Sequence, residues 1–204
     1  MKLTPLIAGL AQAGALVLAG VLAVAMQFAA CAPSGAQPSG LPEGASIGFT
    51  LTTADGNAVS ERTYRGKWLL VYFGYTSCPD LCPTALMEIA GALEKSGPRA
   101  TTVQALFVTI DPKRDTPEML GEYVKSFDPR IVGLTGTPAQ IAQAARSFKI
   151  FYERRDTDDG GYAYDHTTLI YLIDTGGKFV KTLAGDAGAQ EIADALASLT
   201  KAAP

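Results

Sequence analysis

Apolar residues are distributed along this chain in three ways, and each predicts a different element. Between residues 6 and 30 only Gln12 and Gln27 interrupt an apolar run, and a run of that length can cross a bilayer as a helix. Two later runs, 68–75 and 105–110, are continuous but short, which suits strands buried on both faces of a sheet. Elsewhere apolar positions recur at helical spacing. Leu86, Ile89, Ala90 and Leu93 predict a helix over 83–95, stopped by Gly97-Pro98. Two Thr-Pro pairs repeat one local rule: Thr116 caps a helix begun by Pro117 and reaching about residue 127, and Thr137 caps another over 138–148.

Weaker patterns complete the order. Residues 47–52 and 58–60 read as an N-terminal β-hairpin around Asp55-Gly56-Asn57, 131–134 as a short strand, and the charged, glycine-rich stretch 154–164 as a surface hairpin loop. Residues 167–173 and 178–183 are two strands joined by a tight turn, and 188–200 is a closing helix. The strand, helix and strand across 68–110 predict a right-handed crossover with parallel strands. The prediction is an α/β domain, a central mixed sheet flanked by helices. Its ending (strand, turn, strand, helix) resembles a thioredoxin-like fold.

Composition narrows the class. The 204 residues carry a formal net charge of -3 and no basic stripe, so no nucleic-acid partner is expected. Three cysteines are too few for a disulfide scaffold.

The N-terminus divides the chain. Lys2 precedes the long apolar run and stays on the cytoplasmic side, so everything after residue 31 is exported. The run ends in Ala29-Ala30-Cys31, small residues before a cysteine that resemble a bacterial lipoprotein site, whereas its length favours an anchor. Residues 1–31 are thus a membrane anchor or a lipoprotein signal. Residues 32–44, rich in Pro, Ser, Gly and Ala, form a flexible tether, and 45–204 form one domain of ordinary size. The N-terminus lacks the arginines and serines of a mitochondrial transit peptide, so the expected location is the bacterial inner membrane with the domain facing the periplasm.

Chemistry concentrates in FGYTSCPDLCP at 73–83. Cys78 and Cys82 stand four positions apart, directly after a strand. Pro79 and Pro83 bias the cysteines before them away from helical angles, while Pro83 itself suits the first position of a helix. Both sulfurs are therefore expected on a strand-to-helix turn, where unpaired amides and the helix dipole favour thiolate. A structural disulfide or two unrelated buried thiols would have the same spacing. His166 is the one histidine. Beside an aspartate it reads most simply as a surface or capping residue, yet it falls at a strand terminus, as the cysteine turn does. Two thiolates and an imidazole form a soft three-ligand set suited to Cu(I) and tolerant of Cu(II), whereas structural zinc usually takes four protein ligands. Asp165 is read as an orienting partner for the imidazole or a solvent-facing carboxylate. Asp111, Arg114 and Asp115 can brace the site or be an ordinary polar loop. Met87 and Met119 read as core. Tyr72, Phe73 and Tyr75 read as packing, with Tyr75 nearest the site.

Three blocks, FGYTSCPDLCP, VTIDPKRDTP at 108–117 and DHTTLIYLID at 165–174, resemble the signatures of the Sco/SenC family, copper-binding proteins that help assemble cytochrome c oxidase. The resemblance covers roughly 47–199 in order and spacing. It implies a thioredoxin fold in which Cys78, Cys82 and His166 hold one copper, as Cu(I) or Cu(II). Where thioredoxins carry a cis-proline, this chain has Asp165-His166-Thr167. The function so implied is that of a membrane-tethered metallochaperone, with a copper-receiving subunit of cytochrome c oxidase, and another copper chaperone, as partners. The alternative is a thiol-disulfide oxidoreductase in which Cys78 attacks and Cys82 resolves, reducing the cysteines of an oxidase copper site.

Overall fold

A computed structural model describes residues 40–201. The predicted anchor or signal at 1–31 lies outside these residues, and among the described ones no helix is long and apolar enough to cross a membrane. Among the described residues nine strands and four α-helices follow in order: β1 Thr50–Thr53, β2 Ala58–Ser60, β3 Trp68–Gly74, α1 Leu81–Lys95, β4 Val103–Thr109, α2 Pro117–Lys125, β5 Ile131–Thr135, α3 Pro138–Phe148, β6 Tyr152–Asp156, β7 Tyr162–His166, β8 Leu169–Ile173, β9 Phe179–Ala184 and α4 Ala189–Lys201. Seven strands form one mixed sheet in the order β2-β1-β5-β4-β3-β8-β9, and β6 and β7 pair separately. β3 runs parallel to β4 and antiparallel to β8. The result is a thioredoxin-like α/β fold with β1 and β2 as its N-terminal hairpin.

Side chains alternate across β3 because successive residues of a strand point to opposite faces. Leu70 and Tyr72 join the core formed with α1, α2 and α4, where Leu86, Ile89, Leu120 and Ile192 meet. Leu69, Val71 and Phe73 join the other core, closed by Ile141 and Phe148 of α3. All seven residues of β3 are buried, and each large apolar side chain so removed from water contributes roughly 1.5–3 kcal/mol. The end of β3 is thus a rigid platform.

The two Thr-Pro starts form as expected. Thr116 Oγ1 accepts from the Met119 amide, and Thr137 and Gln140 close a reciprocal capping box. Other boundaries move for physical reasons. Ile47 and Phe49 are buried as a strand pattern requires, but the amides of Gly48 and Phe49 donate to Ser147 and Glu61 side chains, so the ladder begins only at Thr50. α1 begins at Leu81 with Pro83 in its first turn; amides there have no intrahelical acceptor, so a missing N–H costs nothing. Only Cys78 therefore lies on the turn, and Cys82 is helical. Met87 and Met119 are 57% and 51% exposed, not core, because each sits beside the buried stripe of its helix. The surface loop expected at 154–164 is an ordered antiparallel pair, Tyr152 opposite His166.

Candidate metal centre

The thiol half of the centre is set by the sheet. β3 ends at Gly74, whose carbonyl accepts from the Ile110 amide at 2.8 Å. The chain then turns, with the Cys78 amide donating to the Tyr75 carbonyl at 3.2 Å. Asp115, 1% exposed, braces that turn: its carboxylate accepts from the Thr76 amide (3.1 Å), the Thr76 hydroxyl (2.6 Å) and the Thr109 hydroxyl (2.5 Å). Cys82 is fully buried in the first turn of α1. Its sulfur occupies space that only glycine leaves open: a Cβ on Gly74 would stand 2.6 Å from Cys82 Sγ and 2.9 Å from Phe107 Cε2.

The imidazole arrives from elsewhere. His166 is the last residue of β7, and its ring meets Tyr75 and Tyr72 edge-on at 5.9 and 6.4 Å. Nδ1 lies 2.9 Å from the Thr167 carbonyl. A carbonyl only accepts, so Nδ1 carries a proton and Nε2 is the ring nitrogen left to face a metal ion. That Nε2 stands 3.8 Å from Cys82 Sγ. Among the described residues one cluster presents three metal-ligating side chains together: Cys78, Cys82 and His166, with ligand atoms within 4.8 Å of one another. Cys82 is buried while Cys78 and His166 are half-buried, so the centre is closed behind and open in front.

The two thiols share one proton. A hydrogen bond from Cys82, opposed by burial and reinforced by His166 and the amides of Cys82 and Asp80, holds Cys78 well below the ordinary thiol range. Cys82, donor of that bond and buried, is pushed far up. Burial, and then the negative charge on the sulfurs, pushes Tyr72 and Tyr123 up as well. Two sulfurs, one of them held as thiolate, and an imidazole nitrogen fit a soft cation such as copper.

The remaining expectations divide. Tyr75 borders the imidazole, and so does Tyr72. Asp165 is solvent-facing, 61% exposed with its carboxylate 3.3 Å from Arg155, and the Thr167 carbonyl orients the ring in its place. Asp115 braces the thiol turn, while Asp111 pairs with Arg114 on the side facing the β6–β7 hairpin. Gly74, Thr76 and Tyr162 escaped the sequence reading. A glycine ending an otherwise bulky strand marks close approach of another group, and that was the available signal for Gly74.

These features define a thioredoxin-like domain that gathers a dithiol and a distant imidazole at one end of its sheet. The SCO1/SenC family description matches residues 40–201, and the chain belongs to that family. An SCO2-like protein of Rickettsia prowazekii is 42% identical over 146 residues, 71% of each chain. The mitochondrial SCO1 homolog 1 of Arabidopsis thaliana is 40% identical over 134 residues, 65% of this chain and 40% of that protein. The solved structure of Bradyrhizobium japonicum ScoI with copper bound superposes with a TM-score of 0.70 at 42% identity, covering 75% of this chain and 98% of the other.

Proposed function

We propose that this chain is a copper metallochaperone that carries one copper, Cu(I) or Cu(II), on Cys78, Cys82 and His166 and delivers it to a cytochrome c oxidase subunit during assembly. Sco proteins as a family are copper-binding and act in cytochrome c oxidase assembly. The observation that carries the reading to these residues is the convergence of two sulfurs and a nitrogen of an oriented ring within 4.8 Å. Copper supplies no chemistry here beyond being cargo. Cys82 grips from the closed side, and the half-buried Cys78 and His166 are the ligands that an acceptor's groups can replace one at a time. The apolar run at 6–30 is assigned to a membrane tether that leaves the domain in the periplasm, where it reaches its partners. Binding displaces the proton shared by the thiols, so uptake releases protons and weakens as pH falls.

The test loads the full chain with Cu(II) and compares it with His166→Ala and Cys82→Ser. Both variants should bind more weakly, Cys82→Ser the more so. Wild-type stoichiometry and affinity in His166→Ala would remove the imidazole from the ligand set.

A second reading rests on a different observation: a half-exposed thiolate at Cys78 backed by the buried thiol of Cys82. That is the layout of an attacking and a resolving cysteine, and it supports reduction of a disulfide in an oxidase copper site. Turnover of a disulfide substrate no faster than by free glutathione would dismiss it.

A further inference from the structure

The β6–β7 hairpin is an outlier in this fold. It carries His166, yet pairs with no strand of the seven-stranded sheet, and its first strand is exposed from Glu153 to Asp156. Apolar packing beneath it is incomplete: a cavity of about 270 Å³ lies between Tyr152 and Tyr164 on the hairpin side and Ile110, Pro138 and Ile141 on the body side. Tyr152 and Tyr164 still pack against the core below, and the polar and ring contacts that add to this packing converge on one cation. Arg114 pairs through Nε with the buried Asp111, and donates from Nη1 to the Tyr162 carbonyl at 2.9 Å. Its guanidinium stacks 3.8 Å over the Tyr162 ring and 5.6 Å from the Tyr75 ring. The Tyr162 hydroxyl donates back to Asp111 at 3.2 Å. Beside this knot, the Tyr164 amide donates to the Tyr75 hydroxyl at 3.4 Å, and the Tyr75 ring meets Tyr164 and His166 edge-on.

We infer that Arg114 is a positioning residue that clamps the His166 arm to the thiol platform, and that through the arm it decides which oxidation state of copper the chain retains. The inference rests on the ligand set proposed above. Two thiolates suffice to hold Cu(I), a soft ion content with few ligands, whereas Cu(II) favours imidazole nitrogen. An arm that swings away thus costs Cu(II) its ligand and leaves Cu(I) on the sulfurs. A planar fork that stacks on one ring while reaching a carboxylate and a carbonyl is a geometry that lysine does not reproduce.

The experiment uses the full chain, loaded separately with Cu(II) and Cu(I), as wild type and as Arg114→Gln, Arg114→Lys, Tyr162→Phe and His166→Ala. The readouts are the thiolate-to-Cu(II) absorption band, the nitrogen hyperfine coupling of the Cu(II) resonance spectrum, the rate of Cu(II) loss to a chelator, and Cu(I) affinity by competition. Arg114→Gln should weaken the nitrogen coupling and release Cu(II) faster by about tenfold or more, the scale of lost outer-shell support, with Cu(I) affinity changed far less. Arg114→Lys should not rescue it. Tyr162→Phe, which loses only one hydroxyl and keeps the stacked ring, should shift Cu(II) loss in the same direction by less. If Arg114→Gln keeps wild-type coupling and Cu(II) retention while His166→Ala loses both, the clamp is refuted and the ligand set stands. Equal weakening of both oxidation states in Arg114→Gln also refutes it. Wild-type Cu(II) behaviour in His166→Ala overturns the ligand set and the clamp with it.

Discussion

The two halves of the centre are held by opposite kinds of structure. Cys82 sits at 0% exposure among Gly74, Phe107 and the start of α1, and every contact that fixes it is also a contact of the core. His166 comes on a hairpin outside the sheet, held by an arginine, three tyrosines and one carbonyl. Interiors pack at crystal density and do not deform by small steps, so the sulfur end is fixed for as long as the domain is folded. The imidazole end depends on a few contacts that can be lost without unfolding anything. The lesson is that stability and ligand geometry are coupled on one side of this site and separable on the other.

The largest effect should come from the coupled side. Phe73 is fully buried with its ring 5.1 Å from that of Phe148, so Phe73→Ala should cost about 3–5 kcal/mol of unfolding free energy. Denaturant titration measures it, and a loss below that of a hairpin substitution such as Tyr164→Ala would invert the comparison. The next concerns the proton shared by the thiols. With Cys78 ionised well below the ordinary thiol range, its thiolate fraction is already complete at pH 6. Alkylation of Cys78 in the reduced, metal-free chain should then stay nearly flat from pH 8 to 6, where an ordinary thiol would slow by up to about a hundredfold. Cys82, pushed the other way, should resist alkylation across that range. A Cys78 rate that falls in step with pH would mean the pair shares no proton.

Much of this division was legible in the sequence. The continuous runs at 68–75 and 105–110 and the Thr-Pro starts led to the right elements because each is a local rule that the tertiary structure had no reason to override. The dithiol was legible for the same reason. The approach of His166 was not written in any local pattern: 84 positions separate it from Cys82, and only a shared place at strand ends and the resemblance to a family pointed across that gap. The orienting carbonyl of Thr167 was invisible because every residue has one. Met87 and Met119 misled because apolar character at near-helical spacing does not tell whether the face is covered. The ladder of β1 is shorter than its apolar alternation because side chains of Ser147 and Glu61 took the amides, a competition decided far along the chain.

Gly74 tests the coupling itself. A methyl group there meets Cys82 Sγ at 2.6 Å and the Phe107 ring at 2.9 Å, and both side chains are fully buried. Gly74→Ala should cost about 1–3 kcal/mol through overpacking and, by displacing one sulfur, weaken Cu(I) binding in the same variant. Lost stability with unchanged Cu(I) affinity would show that the sulfur relaxes independently of the core, and the coupled half would no longer be coupled.

The smallest effect should come from the ion pair nearest the imidazole. Arg155 and Asp165 are each 61% exposed with 3.3 Å between their charged groups, and pairs so solvated contribute about 0–1 kcal/mol. Asp165 precedes His166 in the chain, but the carbonyl that holds the ring is that of Thr167. Arg155→Ala should therefore leave both the denaturation midpoint and Cu(II) retention close to wild type. Because this pair lies on the hairpin that Arg114 clamps from the body, the outcome separates position from proximity: loss of Cu(II) in Arg155→Ala would mean that any charge removed from the arm shifts the ring. Retention would assign the arm's placement to the contacts that join it to the body of the domain, which Arg155 does not make.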